Sequence, residues 1–311
     1  MKRRSLLASA ALAPLAFSPI ARAQGPLKVG FVYVGPVGDH GWTYQHDQGR
    51  QAVDATLKVA EQFPNVAFEH CTGYKRAANV STYSSRFYEG RYIIGQIGAR
   101  MTKTGRIGHI ASFPIPEVIR GANAAILGAH QQSPGVTLQV VWVNTWYDPG
   151  READAAKALI GQGCDVIMQH TDSPAALQVA EEEGVKAFGQ ASDMARFAPT
   201  AQLTAIIDNW APYYIERVRA VLEGRWQSQD SWGGLAANEV VMAPYANMPE
   251  DVAQMARRVE ADVRSGARHP FEGPVYDRAG VERIPSGQVP SDADLLSMNW
   301  FAEGISGELP S

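Results

Sequence analysis

The chain has 311 residues and a formal net charge of -4, and its first 23 residues carry Lys2, Arg3, Arg4 and Arg22 with no acid, so the remainder stands near -8. An acidic remainder excludes nucleic-acid polymers and anionic membrane surfaces as partners, since both need a basic footprint. Two cysteines, Cys71 and Cys164, exclude a disulfide framework and are too few for a structural zinc site without close histidines.

In chain order, residues 1–23 read as a cleavable export signal. Lys2-Arg3-Arg4 is the basic region, Leu6 to Ile20 a short apolar region, and Ala21-Arg22-Ala23 an A-x-A cleavage site. The paired arginines followed by Ser5-Leu6-Leu7 resemble a twin-arginine signal. No cysteine stands at the cleavage site, and no later run reaches the ~20 apolar residues of a membrane span, so the expected location is the periplasm, without a lipid anchor.

Val29 to Asp47, VGFVYVGPVGDHGWTYQHD, is an apolar strand, a Gly/Pro turn and the start of a helix. Ligands of open α/β sheets bind at the carboxyl ends of strands, so Asp39 and Trp42 there suggest a site for a flat ring with polar edges. The glycines are spaced G-x-x-G-x-x-G, which is not a dinucleotide or Walker motif. His40, His46 and Asp47 read as helix-face residues, because no third metal ligand has suitable spacing.

Further on, Thr43 to Phe63 reads as a helix, Val66 to Cys71 as a strand, and Tyr83 to Met101 as a helix. Strands at Arg106 to Ser112, Thr137 to Asn144, Asp165 to His170 and Val185 to Gln190 then alternate with helices at Val118 to Gln131, Gly150 to Gly161 and Pro174 to Glu183. Such alternation gives βαβ units and a parallel sheet with helices on both faces. Leu203 to Ile207 and Glu239 to Met242 read as short strands, and Pro212 to Glu223 and Asp251 to Arg268 as helices. Phe271 to Val289 reads as a hairpin about Gly280, and Ser291 to Gly307 as a tail. Glu181-Glu182-Glu183 reads as a solvated helix end, and Tyr213, Tyr214 and Trp226 as core or hinge packing. The length favours two lobes about a cleft.

The motifs VGFVYVGPVGDHGWTYQHDQGR, FPNVAFEHCTGYKRAANVSTY, FYEGRYIIGQIGARMTKTGRIGHIAS, VIRGANAAILGA, VWVNTWYDPGREADAAKALIGQGCDVI, AEEEGVKAFGQASDM and SMNWFAEGISG follow one another in this order. Together they resemble the basic membrane protein family, substrate-binding proteins of ABC importers that include purine-base and nucleoside binders. The resemblance implies an α/β fold of two Rossmann-like lobes with parallel sheets, type I periplasmic binding protein-like, joined by three strands and closing by a hinge. It divides the mature chain into 24–82 plus 209–270 as lobe one and 83–208 plus 271–311 as lobe two.

By the same resemblance Trp42 and Trp146 sandwich a flat heterocycle, each ring adding roughly 0.5–1.5 kcal/mol beyond area burial. Asp39 and Asp193 stand where the family has acids at strand ends, which would accept ring or exocyclic N–H groups, and Asp172 follows another strand end, at a place where the family is usually glycine-rich. Asp208 stands where nucleoside binders tend to have lysine, which leans toward a free base. One departure is larger: GRQAV runs straight into DATLKVAEQFPNV, so set against the family a βαβ-sized piece of about 30 residues or more is missing near Val53-Asp54, which is expected to shorten lobe one.

Plainer roles stand beside these. Trp42 could anchor the first helix, Trp146 could be a surface turn residue, and Asp39 and Asp193 could be helix N-caps. The expectation is a monomeric binding protein that hands a purine base or nucleoside to ABC permease subunits, with no cofactor, metal or catalysis. The alternatives are an exported nucleoside-processing enzyme, for which neither an Asp-rich run nor a G-x-S-x-G elbow is present, and a family member that has lost binding.

Overall fold

A computed structural model describes residues 56–310. The export signal, the first strand with Asp39 and Trp42, the residues His40, His46 and Asp47, and the junction near Val53-Asp54 lie outside the described residues.

The described part begins in a helix, α1 (residues 56–62). There follow β1 (Phe68–Cys71), β2 (Val80–Ser85), α2 (Tyr88–Met101), β3 (Arg106–Ala111), α3 (Pro116–Gln132), β4 (Thr137–Trp142) and α4 (Pro149–Gly161). The alternation continues through β5 (Val166–His170), α5 (Ala175–Glu182), β6 (Lys186–Ala191), β7 (Gln202–Asp208) and α6 (Ala211–Leu222). The remaining elements are β8 (Asp230–Gly233), β9 (Val240–Met242), α7 (Glu250–Ser265), β10 (Val275–Tyr276), β11 (Glu282–Ile284), α8 (Asp292–Leu296) and β12 (Ile305–Ser306).

Two parallel sheets result. The small one runs β1-β2-β8, and the large one runs β12-β4-β3-β5-β6-β7-β9, parallel except where β9 lies antiparallel to β7. The α/β class expected from the alternation is what forms. The central strand β5, VIMQH, is buried along its whole length, as a strand covered by helices on both faces must be. Helices α2 and α3 cross on one face so closely that a Cβ on Gly95 or Gly128 would overlap the carbonyl oxygen of Ala125 or Tyr92.

The structure departs from the sequence reading in five places. Val80–Ser85 is a strand, and the helix expected from Tyr83 begins at Tyr88. Polar VSTYSS lacks an apolar run, yet its first four residues are buried between β1 and β8. Asp230–Gly233 is an unexpected strand. Residues 240–265, assigned above to lobe one, go with the large sheet instead: β9 pairs with β7, and α7 packs on α2. The tail is built in, with α8 carrying a Ser291–Asp294 capping box and β12 covering the β4 edge. Glu181 is also more than a solvated end, since its carboxylate accepts from the backbone N–H groups of Thr200 and Ala201.

The chain passes between the sheets at β2 to α2, at β7 to α6 and at β8 to β9. These three crossings are bonded to one another. Ser85 Oγ donates to Asp208 Oδ1 at 3.0 Å, Arg86 N–H to the Gly233 carbonyl at 2.6 Å, and Asn209 N–H to the Glu239 carbonyl at 2.8 Å. Tyr83, Tyr213, Tyr214 and Trp210 form an aromatic cluster at the base of α6, with Tyr83 and Tyr213 stacked at 4.6 Å. Tyr213 and Trp226 both donate to Glu69, so these aromatics are packing residues, as expected.

Candidate functional site

The order β4-β3-β5 fixes where the site lies. From β3 the chain passes through α3 to β4 on one side, then through α4 to β5 on the other, so the order reverses between β3 and β5. A crevice opens at the carboxyl ends of strands at such a reversal. Three rings gather there: Phe113 after β3, Trp146 after β4 and His170 at the end of β5. Trp146 lies 5.5 Å from Phe113 and 5.8 Å from His170, centroid to centroid, tilted by nearly 60° in each case. Trp146 is only partly buried.

The loops carrying these groups are tied together. Asp172 N–H donates to the Trp146 carbonyl at 2.8 Å, joining the loop after β5 to the loop after β4. Glu152, fully buried in α4, binds both loops from below. It accepts from Asp148 N–H at 2.9 Å, Thr171 Oγ1 at 2.7 Å and Ser173 N–H at 3.3 Å. Asp148 in turn caps α4 by accepting from Arg151 N–H, with Pro149 in the first turn.

Three carboxyls near these strand ends lie within reach of one another's charge. Glu117, in the first turn of α3, lies 3.9 Å from His170 Nε2. Burial raises its pKa, with Arg120 and Arg91 acting against the rise. Asp172 is pushed up to about 6 by burial and by Glu152 and Glu117. Asp208, at the end of β7, is pushed up to about 7 by burial first; Glu117 and Asp172 raise it further, while the Ser85 hydrogen bond and Arg91 oppose. Solvent reaches all three side chains, yet burial dominates their behaviour, as it does for groups standing in a recess.

Beneath them lies Arg91 of α2, fully buried. Its Nη2 bonds Gln190 at the end of β6, its guanidinium lies 5.2 Å from the Phe87 ring, and burial brings its pKa down to about 9. Burial and the Arg91 charge hold His109 and His170 well below the ordinary histidine value, so both are neutral near pH 7.

Of the residues singled out in the sequence, Trp146 and Asp172 are brought together at the crevice. Asp193 is exposed just past the end of β6, where its Oδ1 accepts from Ala195 N–H at 3.0 Å and Gln202 Nε2 at 2.8 Å, holding its own turn and not capping a helix as the plainer reading expected. Asp39 and Trp42 lie outside the described residues. Sequence reading missed Glu117, Glu152, Arg91 and His170. PIPEV and the end of VIMQH, adjoining strand ends of the βαβ pattern, carried the only signal available for Glu117 and His170. Among the described residues no cluster of three or more His, Cys, Asp or Glu could hold a metal. A separate cavity of about 370 Å³, lined by Tyr213, Arg217, Gln229 and Glu239, lies against α6 and β8, away from the strand reversal.

Two parallel sheets joined by three crossings, with rings and carboxyls gathered at a strand reversal, define the type I class of solute-binding protein. The fold of an ABC transporter solute-binding protein from Aeropyrum pernix K1 agrees, with a TM-score of 0.57 and 17% identity over 76% of this chain and 74% of that one. A family model described as ABC transporter substrate-binding protein PnrA-like matches residues 51–265, and the chain belongs to this family, Bmp. It is 48% identical to a purine-binding protein of Brucella abortus over 93% of this chain and 96% of the relative. It is also 32% identical to a Haloferax volcanii protein named as an ABC transporter glucose-binding protein, over 90% and 81%.

The first of these alignments spans 335 residues while using 93% of a 311-residue chain, which leaves roughly 45 positions where the relative has residues and this chain has none. The second, 325 residues on 90% of the chain, leaves about as many.

Proposed function

We propose that the chain captures a purine base or nucleoside in the periplasm and delivers it to the membrane subunits of an ABC importer, without catalysis. The observation that carries this reading is the backbone bond from Asp172 to Trp146 at the strand reversal. It sets an aromatic face and a hydrogen-bond acceptor side by side, the pair that a flat heterocycle with N–H edges requires. Asp39 and Trp42 would supply the opposite wall from the lobe built on the small sheet. Asp193, engaged in its own turn, would take the smallest share of the site. The Brucella relative, named for purine binding, supports the ligand class.

The test is calorimetry and a thermal melt of the mature protein with adenine, guanine, hypoxanthine, their nucleosides and glucose. A ligand at 100 times its Kd stabilises the native state by about 2.7 kcal/mol. Stabilisation by a purine with unit stoichiometry and no turnover is the expected result. Stabilisation by glucose alone, or release of base from a nucleoside, would overturn the reading.

A further inference from the structure

We propose that the cavity against α6 and β8 is a second binding site, which takes a small organic cation bearing a hydroxyl or amide group and holds it by the Glu239 carboxylate. This site is separate from the strand reversal and does not rest on the purine reading.

The cavity encloses about 370 Å³, within the roughly 300–1,000 Å³ of small-molecule sites. Its walls come from two of the crossings between the sheets. Tyr213 lies in the first turn of α6, just after the chain leaves β7, while Ser231 lies on β8 and Glu239 stands immediately before β9. Asn209 N–H, bonded to the Glu239 carbonyl at 2.8 Å, ties these two crossings together.

The charges around the cavity decide what it can hold. Arg217 is fully engaged: its Nε donates to Glu69 at 2.5 Å, and its Nη2 donates to Ser81 Oγ at 2.8 Å and to the Gln227 carbonyl at 2.9 Å. Arg225 lies between Glu216, 2.6 Å from Nη1, and Glu223, 2.5 Å from Nε. Arg219 stands 3.7 Å from Glu216. Glu239 has no cationic partner among the described residues, and the bond it accepts is from Gly233 N–H to Oε2, at 3.0 Å. Four carboxylates, those of Glu69, Glu216, Glu223 and Glu239, therefore meet three guanidiniums, and the charge in excess is that of Glu239.

Glu239 is also placed to receive a ligand. The residue is only 8% exposed, yet its second oxygen, Oε1, is reached by solvent and bonds to nothing among the described residues. Gly233 makes this position available. A Cβ there would lie 2.3 Å from Glu239 Cδ and Oε2, so the carboxylate rests in the space that a side chain at 233 would fill. Burial penalises the Glu239 charge. A cation donating to Oε1 relieves that penalty through a charge-assisted hydrogen bond, whereas an anion would deepen it. Gln227 and Gln229, on the same walls, bond through their backbones and leave their side-chain amides available to a hydroxyl or amide of the ligand.

The experiment is titration calorimetry of the mature protein with ethanolamine at low ionic strength, beside ethylene glycol and glycolate, which keep its size but carry no charge and a negative charge. Ethanolamine is expected to bind with unit stoichiometry and the two controls not to bind. Glu239→Gln keeps an acceptor for Gly233 N–H and should weaken ethanolamine binding about tenfold to a hundredfold. Arg225→Gln, at an exposed position on the wall, removes a repelling charge and should tighten it about twofold to fivefold. This second variant reports the sign of the site even where Glu239→Gln fails to fold. Glycolate binding that weakens in Arg225→Gln overturns the proposal, because the site is then an anion site. Ethanolamine binding that Glu239→Gln leaves unchanged, or no ethanolamine binding at millimolar concentration, overturns it as well.

Discussion

Glu152 offers the most direct test of how the site is held. Its carboxylate is the common acceptor for three donors in two loops: Asp148 N–H, Thr171 Oγ1 and Ser173 N–H. Glu152→Ala leaves the donors of Thr171 and Ser173 buried and unpaired. At roughly 1–3 kcal/mol for each orphaned donor, the expected loss of stability is about 2–6 kcal/mol. Glu152→Gln behaves differently. Its carbonyl can still accept from Asp148, and its amide can donate to the Thr171 hydroxyl, which rotates to accept; Ser173 N–H alone loses its acceptor. Because burial already raises the Glu152 pKa, a neutral isostere loses little from the missing charge, and about 1–2 kcal/mol is expected. Urea denaturation of the unliganded protein measures both. Purine affinity should fall in the same order, because the two loops carry Trp146 and Asp172. Equal losses for the two variants, or a loss below about 1 kcal/mol for the alanine, would refute the bracing role.

Trp146→Ala should lower purine affinity on the order of tenfold to a hundredfold and, because the ring packs on Phe113 and His170, lower the thermal midpoint as well, and Trp146→Phe should restore most of both; titration calorimetry and a melt decide. Gly95→Ala should destabilise by about 2–5 kcal/mol in urea, because the added methyl overlaps the Ala125 carbonyl and two helix backbones must part. Asp208→Asn should stabilise the unliganded protein, and the gain in urea midpoint should grow from pH 5 to 7.5. A carboxyl whose folded pKa is raised to about 7 opposes folding increasingly as pH climbs from the unfolded value toward the folded one. The neutral buried imidazoles His109 and His170 act in the opposite sense, so the difference between variant and parent, not the raw profile, isolates Asp208.

The sheet-forming alternation, most helix positions from α3 onward and the C-terminal hairpin were legible because they rest on local period and turn chemistry. Strand β2 was not. Its residues are polar and small, and they are buried only because β1 and β8 flank them and Arg217, itself paired with Glu69 at 2.5 Å, reaches Ser81. Strand β9 was located but placed in the wrong sheet, because an antiparallel addition at an edge has no signature in three residues. Trp146 and Asp172 could be read from their place after strands. Glu117, Arg91 and His170 could not, since their proximity is set by the strand reversal and by the crossing of α2 over α3.

The same residues tie the crevice to the crossings between the sheets. Asp208 is the last residue of β7, and there it accepts from Ser85 at the end of β2, so a carboxyl near the crevice is also a bond between two of the three crossings. Two residues after Ser85, Phe87 caps the start of α2, stacks 5.9 Å from His170 and lies under Arg91. A change at the β2–α2 crossing therefore shifts the cation on the floor and a partner of the acid on the rim together. The residues gathered at the strand reversal, from Phe113 to Asp208, lie within the part of the chain that the family model matches.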